Sequence, residues 1–325
     1  MFNKALLIGK TNKKDYAPVK SKFFFSEITV PPIHKYTFKN CLISSQGVVL
    51  FPFPFNIVIL RVNLISKFKF LIIQYLKRPV VRLDDNLTYV CANNGYDHYY
   101  HWLIDILPLY LAGVDKKDTI IMPHASGDFQ KESLEMLGFK NLLLLDDHVK
   151  YSIKKYITFT PRLESRPHVA LIQKTVEAIK SEVPKVTRSK KRIYVSRKGL
   201  KRNVINENEF LPLLRKLNFE FISLDELPFK EQVRLFRGCD LLMGPHGAAL
   251  TNAVFMEKGS KLIELVAHED SNTYQWHFYH LSQIVGLDYY SFNCEKHNLH
   301  EDPHMANLVV NSSDFETFLS KVLEQ

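Results

Sequence analysis

The sequence is short of cysteine. Its 325 residues include four, at positions 41, 91, 239 and 294, and none of them forms a CxxC pair. That spacing argues against a structural zinc site or a disulfide framework and fits a reducing compartment. Long apolar runs are missing too. No window reaches about 18 uninterrupted apolar residues, so no transmembrane helix is expected. The most apolar early stretch, 48–60, carries Pro52 and Pro54, which a spanning helix does not readily accommodate. The apolar run after Met1 is too short for a secretory signal. A cytoplasmic location is therefore expected, with peripheral contact to a membrane left open. Internal repeats and low-complexity segments are absent as well.

What is present is a basic chain with real cores. Hydrophobic residues make up 46% of it, with 23 phenylalanines, and the formal net charge is +9. Basic residues cluster at Arg188–Arg192 and Arg197–Arg202. Nucleic acid, anionic lipid headgroups and anionic substrates are all compatible with that charge, as is a plain solvated surface.

The chain is long enough for two domains. Residues 1 to about 80 read as short strands and turns, with 57–76 able to hold a helix. From Leu87 onward, period-two and period-3.6 apolar patterns alternate. Strands are expected at 87–91, 119–122, 141–145, 153–160, 192–196, 219–224, 240–243, 261–266 and 287–292. Helices are expected at 99–111, 129–137, 167–183, 206–217, 228–236, from 248, at 274–285 and at 315–323. Pro108 marks a kink or an early end in the first of these. Such alternation implies α/β architecture with mainly parallel sheets covered on both faces. It divides into two Rossmann-like domains, 1–183 and 184–325, and leaves the terminal helix free to pack back on the first domain.

The most informative stretch is Asp240–Met256, in which an apolar strand meets a small-residue turn and then a helix. A helix N-terminus presents unpaired N–H groups and a positive dipole end, which suits a phosphate or diphosphate. Gly244 and Gly247 let backbone approach a ligand, and His246 sits where a side chain can donate to a phosphate oxygen. An ordinary βα turn with glycines for packing is the competing reading. Two further features favour the ligand. The strand at 192–196 runs into a loop with Arg197, Lys198, Lys201 and Arg202, whose arginines can clamp a diphosphate at two points. Glu264 lies inside the strand 261–266, where a carboxylate can accept both hydroxyls of a ribose. Its alternative is an ion pair with a nearby arginine.

In the first domain, His101 and Asp105 are four residues apart and share a helix face. With His98 they project polar groups near a helix start, and either His101 or Asp105 can serve as a general base. A structural role for His101 in the turn competes with this, and two ligands on one helix make a weak metal site. His268–Asp270 and His277/His280 form a further polar group, to line the same site or the surface. No Asp-x-Asp occurs anywhere. That motif commonly holds a divalent metal against the diphosphate of a sugar nucleotide. Without it, arginine, histidine and helix dipole must neutralise the charge.

Taken together, the segments 100–108, 192–197, 244–252 and 262–266 resemble glycosyltransferase family 61, in the family's order and over about residues 90–290. The His-Gly-Ala-x-Leu-Thr-Asn element is the specific one. The resemblance implies a GT-B architecture, two Rossmann-like domains facing a central cleft, with acceptor on the first and nucleotide sugar on the second. It implies an inverting, metal-independent transfer with no cofactor, and a UDP-sugar as the favoured donor. Arg197, Arg202, Gly244, His246, Gly247, Ala248, Thr251 and Asn252 would hold the diphosphate side, and Glu264 the ribose. Asp105, His101 and His246 would be catalytic. The acceptor would be a glycan, lipid-linked or protein-linked hydroxyl, and nucleic acid is not an expected partner. Two other classes stand as alternatives: a non-catalytic nucleotide- or polyanion-binding protein, and a metal-dependent hydrolase using His98, His101, Asp105 and the His268 group.

Overall fold

The computed structural model describes residues 3–6, 33–44, 49–51, 77–88, 98–122, 127–146, 148–159, 168–184, 191–224, 227–267, 276–301 and 305–324. A helix within 57–76, the basic residues 188–190 and the His268–Asp270 group lie outside them. The described chain forms two compact units, one holding residues up to Ile179 and the other those from Lys180 onward.

The first unit is built on a mixed sheet. Its strands are β1 (Asn3–Leu6), β2 (Ile33–Ser44), β3 (Val49–Phe51), β4 (Val80–Thr88), β5 (Thr119–Met122), β6 (Leu142–Leu144) and β7 (Lys150–Phe159). The order is β1-β2-β7-β4-β5-β6, with β3 beside β2. Strands β4 to β7 pair in parallel, as the alternation predicts. The antiparallel half differs from the expected short strands. β2 is twelve residues long and pairs with β7 from Lys35 opposite Phe159 to Ser44 opposite Lys150. Its pattern hides it. Asn40 adopts φ 50°, and the inward face changes from Phe38 to Cys41 and Ile43. A strand whose buried face changes phase loses the period-two signal.

Helix α1 runs from Tyr99 to Gly113 with a defect in its middle. An α turn, Tyr99–His101, passes into a π segment, Trp102–Ile106, and then into an α segment, Leu107–Gly113. The helix neither ends nor breaks at Pro108. A proline ring clashes with the carbonyl four residues earlier and lacks the N–H that would bond it. The wider π turn, in which Leu107 N–H bonds Trp102 O, comes directly before that residue. Trp102 is fully buried and donates its indole N–H to Ser133 Oγ at 2.8 Å, on helix α2 (Asp128–Met136). Helix α3 (Val169–Ser181) follows β7.

The second unit holds β8 (Lys191–Tyr194), β9 (Phe219–Phe221), β10 (Cys239–Pro245), β11 (Lys261–Val266) and β12 (Asp288–Asn293). All pair in parallel, in the order β12-β11-β10-β8-β9. This is a doubly wound order. The chain leaves β8 toward one edge for β9 and returns past it to β10, so the strand order reverses between β8 and β10. In open α/β sheets, ligands bind outside the carboxyl ends of the strands at such a reversal point. Helices α4 (Glu207–Lys216) and α7 (Ser312–Glu324) cover one face. The core there includes Tyr194, Phe210, Met243, Ile263, Leu265, Phe292, Phe315 and Leu319. The terminal helix thus packs on its own unit's sheet: Phe315, Leu319 and Val322 are buried in that core, and Lys261 Nζ donates to Val322 O at 2.7 Å. A 3₁₀ helix (Ala248–Phe255) packs on β10 and against helices α5 (Phe229–Arg237) and α6 (Trp276–Val285). A short hairpin, β13 (Glu295–Lys296) with β14 (Leu308–Val309), completes the unit.

Trp102→Phe should lower stability by about 2–4 kcal/mol, because it removes buried volume and takes away the N–H that the Ser133 hydroxyl accepts, leaving only its bond to Gln130 O. Thermal and urea unfolding check this, and an unchanged midpoint would contradict the role given to Trp102 in holding the π segment.

Candidate functional site

Two loops meet the reversal point of the second sheet. One follows β8 and carries Arg197. The other follows β10 and carries His246 and Gly247. The strand β10 runs through Gly244 and Pro245, so the turn starts two residues later than the apolar run suggests. Beyond Gly247 the chain forms a 3₁₀ helix rather than an α-helix. Its first N–H groups still lack carbonyl partners within the helix.

The two glycines do different things. A Cβ on Gly244 would lie 2.6 Å from Val195 Cγ2 and 2.7 Å from Val195 O, so this glycine lets β10 lie close beside the end of β8. A Cβ on Gly247 would lie 2.0 Å from Arg197 Nη1 and 2.8 Å from its Cζ. The guanidinium is laid across the turn where a side chain would stand. Arg197 Nε also donates to Lys201 O at 3.0 Å, which closes the loop on itself. Burial pushes Arg197 below the usual arginine range. Arg202 goes down to about 10, mainly through burial and then through Arg197, with Glu264 opposing; it stays charged at neutral pH. Arg202 adopts φ 61°, a left-handed conformation that is uncommon for residues other than glycine. Such backbone outliers collect at ligand sites. Its Nε is buried without a hydrogen-bond partner among the described residues.

Glu264 stands opposite Gly244 in the register of β10 and β11. Glu264 is fully buried. One carboxylate oxygen bonds His246 Nδ1, and the other accepts the Tyr289 hydroxyl at 2.5 Å. Burial, reinforced by Glu264, pushes the Tyr289 phenol well above its usual range, so it remains a donor. Tyr289, Glu264 and His246 form a hydrogen-bonded line from the sheet interior to the turn. The His246 ring also meets Phe278 edge-on at 5.2 Å, and His246 N–H bonds Leu265 O at 3.0 Å.

Other expected contacts turn inward as well. Asn252 is fully buried and donates to Gln232 Oε1 at 3.1 Å and Ala249 O at 3.2 Å, tying the 3₁₀ helix to α5. Thr251 is fully buried. Its hydroxyl is buried without a hydrogen-bond partner among the described residues. Ala248, the first residue of the 3₁₀ helix, is exposed. A helical pattern in the sequence could not separate these positions, because the tighter 3₁₀ winding changes which side chains face inward.

In the first unit, His101 Nδ1 and Asp105 Oδ2 are 2.8 Å apart, on the α turn and the π segment of α1. Asp105 is 13% exposed and His101 40%, so the histidine is the more accessible member. His98 meets His101 edge-on at 6.2 Å. His280 is buried on α6, and burial together with His277 brings it down to about 4, so it is neutral at physiological pH. Among the described residues no three His, Cys, Asp or Glu side chains converge on one metal position. Cys41, Cys239 and Cys294 are free thiols raised by burial to about 11, 12 and 12.

Three residues of the site carry no signal in the sequence. Tyr289 looks like one more apolar strand residue; it stands opposite Leu262, two positions before Glu264's own register partner Ser291, and its hydroxyl reaches Glu264 diagonally. Tyr194 and Glu207 are buried partners at 2.6 Å behind the Arg197 loop. Glu207 reads as an ordinary acidic residue in a helix's first turn.

Gly247→Ala should cost anion binding with little loss of stability, because only the movable end of Arg197 is displaced. Gly244→Ala should cost about 1–3 kcal/mol, because it meets backbone. Calorimetric titration and thermal melts of the two variants check the pair, and equal effects on both readouts would contradict the distinction.

Comparison with known proteins bears on the same residues. The sequence profile described as Glycosyltransferase 61 matches residues 99–263. That is just over half of the chain, and it takes in His101, Asp105, Arg197, Arg202, His246 and Gly247. The chain is similar to the EGF domain-specific O-linked N-acetylglucosamine transferase of Drosophila melanogaster, 35% identical over 99 residues, covering 30% of this chain and 18% of the relative. Its counterpart in Pan troglodytes is 28% identical over 138 residues, covering 38% and 25%. The alpha-1,3-arabinosyltransferase XAT3 of Oryza sativa subsp. japonica is 33% identical over 89 residues, covering 26% and 15%. In each case the matched stretch is a quarter or less of the relative's length. The profile match runs from the His101–Asp105 pair to the turn at the sheet's reversal point, and with it the chain belongs to glycosyltransferase family 61.

Proposed function

We propose that this chain is an inverting, metal-independent glycosyltransferase. It moves a sugar from a nucleoside diphosphate donor, a UDP-sugar, to a hydroxyl of a glycan, lipid-linked or protein-linked acceptor. The observation that carries this is the Arg197 guanidinium laid over Gly247 beside His246, at the reversal point of a doubly wound sheet. The finer architecture belongs to the same proposal: GT-B type, with the donor on the second unit and the acceptor on the first. No helix of the described residues is long and apolar enough to cross a membrane.

In this reading Arg197 and Arg202 hold the diphosphate, with the first amides of the 3₁₀ helix. They supply positive charge that a divalent ion supplies elsewhere. Glu264 fixes His246 through Nδ1, so the imidazole presents Nε2 to the leaving phosphate. Tyr289 satisfies the second carboxylate oxygen and keeps the buried pair from being half-solvated. On the acceptor side, Asp105 orients His101, and His101 takes the proton from the attacking hydroxyl. The acceptor oxygen forms its bond to the anomeric carbon as the bond from that carbon to the diphosphate breaks, with inversion. Departing charge is stabilised by groups already in place, at little reorganisation cost.

The relatives named above are an N-acetylglucosamine transferase and an arabinosyltransferase. Both names describe transfer of a sugar to an acceptor, and they support the reaction class proposed here.

UDP should raise the melting temperature equally with and without EDTA, and Arg197→Ala should abolish the rise. A rise that needs metal would overturn the metal-independent part, and no rise with UDP, GDP or CMP would move the polyanion-binding reading ahead. In steady-state kinetics His101→Gln should lower kcat by about 10²- to 10⁴-fold while the donor KM holds. Asp105→Asn should lower kcat in the same direction. Unchanged turnover in both would remove the pair from the base role.

A further inference from the structure

We infer that Glu207, acting through Ser196, is a positioning residue that preorganises the Arg197 clamp. The inference rests on the reading of Arg197 as the diphosphate ligand. Glu207 opens α4 and is 8% exposed. It receives two hydroxyls. Tyr194 donates to Oε1 at 2.6 Å, and Ser196 lies 2.8 Å from Oε1 and 2.9 Å from Oε2, its proton shared between them. Ser196 Oγ in turn accepts the N–H of Lys198 at 3.1 Å. The residue between these two anchored positions is Arg197. Its backbone is therefore held on both sides, by a carboxylate below and a turn above.

Three further contacts show what the brace serves. Leu200 N–H bonds Arg197 O at 2.9 Å, and Arg197 Nε bonds Lys201 O at 3.0 Å, so the loop folds around this one side chain. The guanidinium then fills the space over Gly247. A long, flexible arginine loses rotamer freedom when it binds a ligand, and fixing it beforehand lowers that cost. The carboxylate itself is held from the other side. Tyr194 is fully buried in the sheet, and the N-terminal end of α4 favours a negative charge at this position. Asn206, next to it, bonds Val310 O at 2.8 Å and Val310 N–H at 3.0 Å, which ties the helix start to the segment before α7. Glu207 touches none of the groups assigned to donor or acceptor. Its effect passes through Ser196 to Arg197.

The test uses inorganic pyrophosphate as probe, with isothermal titration of the full chain. Ser196→Ala removes the brace at an exposed position and leaves Glu207 bonded to Tyr194, so folding should be retained; thermal melts verify this. Its dissociation constant should rise about tenfold, the order expected for one hydrogen bond to a charged group. Glu207→Gln should weaken binding in the same direction. In an Arg197→Ala background, Ser196→Ala should have no further effect. Full wild-type affinity in Ser196→Ala, or an additive loss on top of Arg197→Ala, would overturn the brace while leaving the clamp standing. Wild-type affinity in Arg197→Ala, or no pyrophosphate binding by the wild type, would overturn the clamp itself and the brace with it.

Discussion

A guanidinium can lie across the turn after β10 only because residue 247 has no side chain. The site depends on that contact. It joins two loops that are 50 residues apart in the chain, 197 and 247, and it is available because the doubly wound order places the ends of β8 and β10 side by side. Gly244 contributes one step earlier. By admitting Val195 against the strand, it brings the two strand ends close enough for the loops to meet. Fold and site are therefore not separate layers here. The same two glycines set the approach of the strands and the approach of the arginine.

Around that contact the second unit repeats one device: a buried carboxylate that orients a group facing the reversal point, itself satisfied by a tyrosine. Glu264 holds His246 and is met by Tyr289; Glu207 holds Ser196 and is met by Tyr194. A buried carboxylate with an unfilled oxygen would cost several kcal/mol, and a tyrosine can supply the donor while packing as a core aromatic. In both tyrosines burial, reinforced by the carboxylate, keeps the phenol protonated. The first unit shows a different solution. There a π turn in front of Pro108 sets Asp105 against His101 on a helix that Trp102 anchors from below. π segments inside α-helices are often found at functional sites.

Much of this arrangement is legible in the amino-acid sequence. Alternating patterns place the parallel strands and helices from residue 119 onward to within a few positions, and the Arg197 loop and His246 turn stand out by composition. Three things are hidden. The phase change at Asn40 erases the signal of β2, since its inward residues lie on one face before that point and on the other after it. The 3₁₀ winding of Ala248–Phe255 turns Thr251 and Asn252 inward, although they sit in the most specific motif of the chain. Glu264 is conspicuous as a charge inside an apolar strand, but its partners come from β12 and from the turn, which only the register brings together. Tyr289 and Glu207 give no signal at all, because a tyrosine in a strand and a glutamate at a helix start are ordinary in any sequence.

The most direct test is a crystal structure of the chain with UDP. The account predicts diphosphate oxygens within hydrogen-bonding distance of the Arg197 guanidinium and the His246 imidazole, over Gly247, with the Glu264–His246 contact intact. A nucleotide bound away from the ends of β8 and β10, or Glu264 swung out to take the ligand in place of His246, would contradict it.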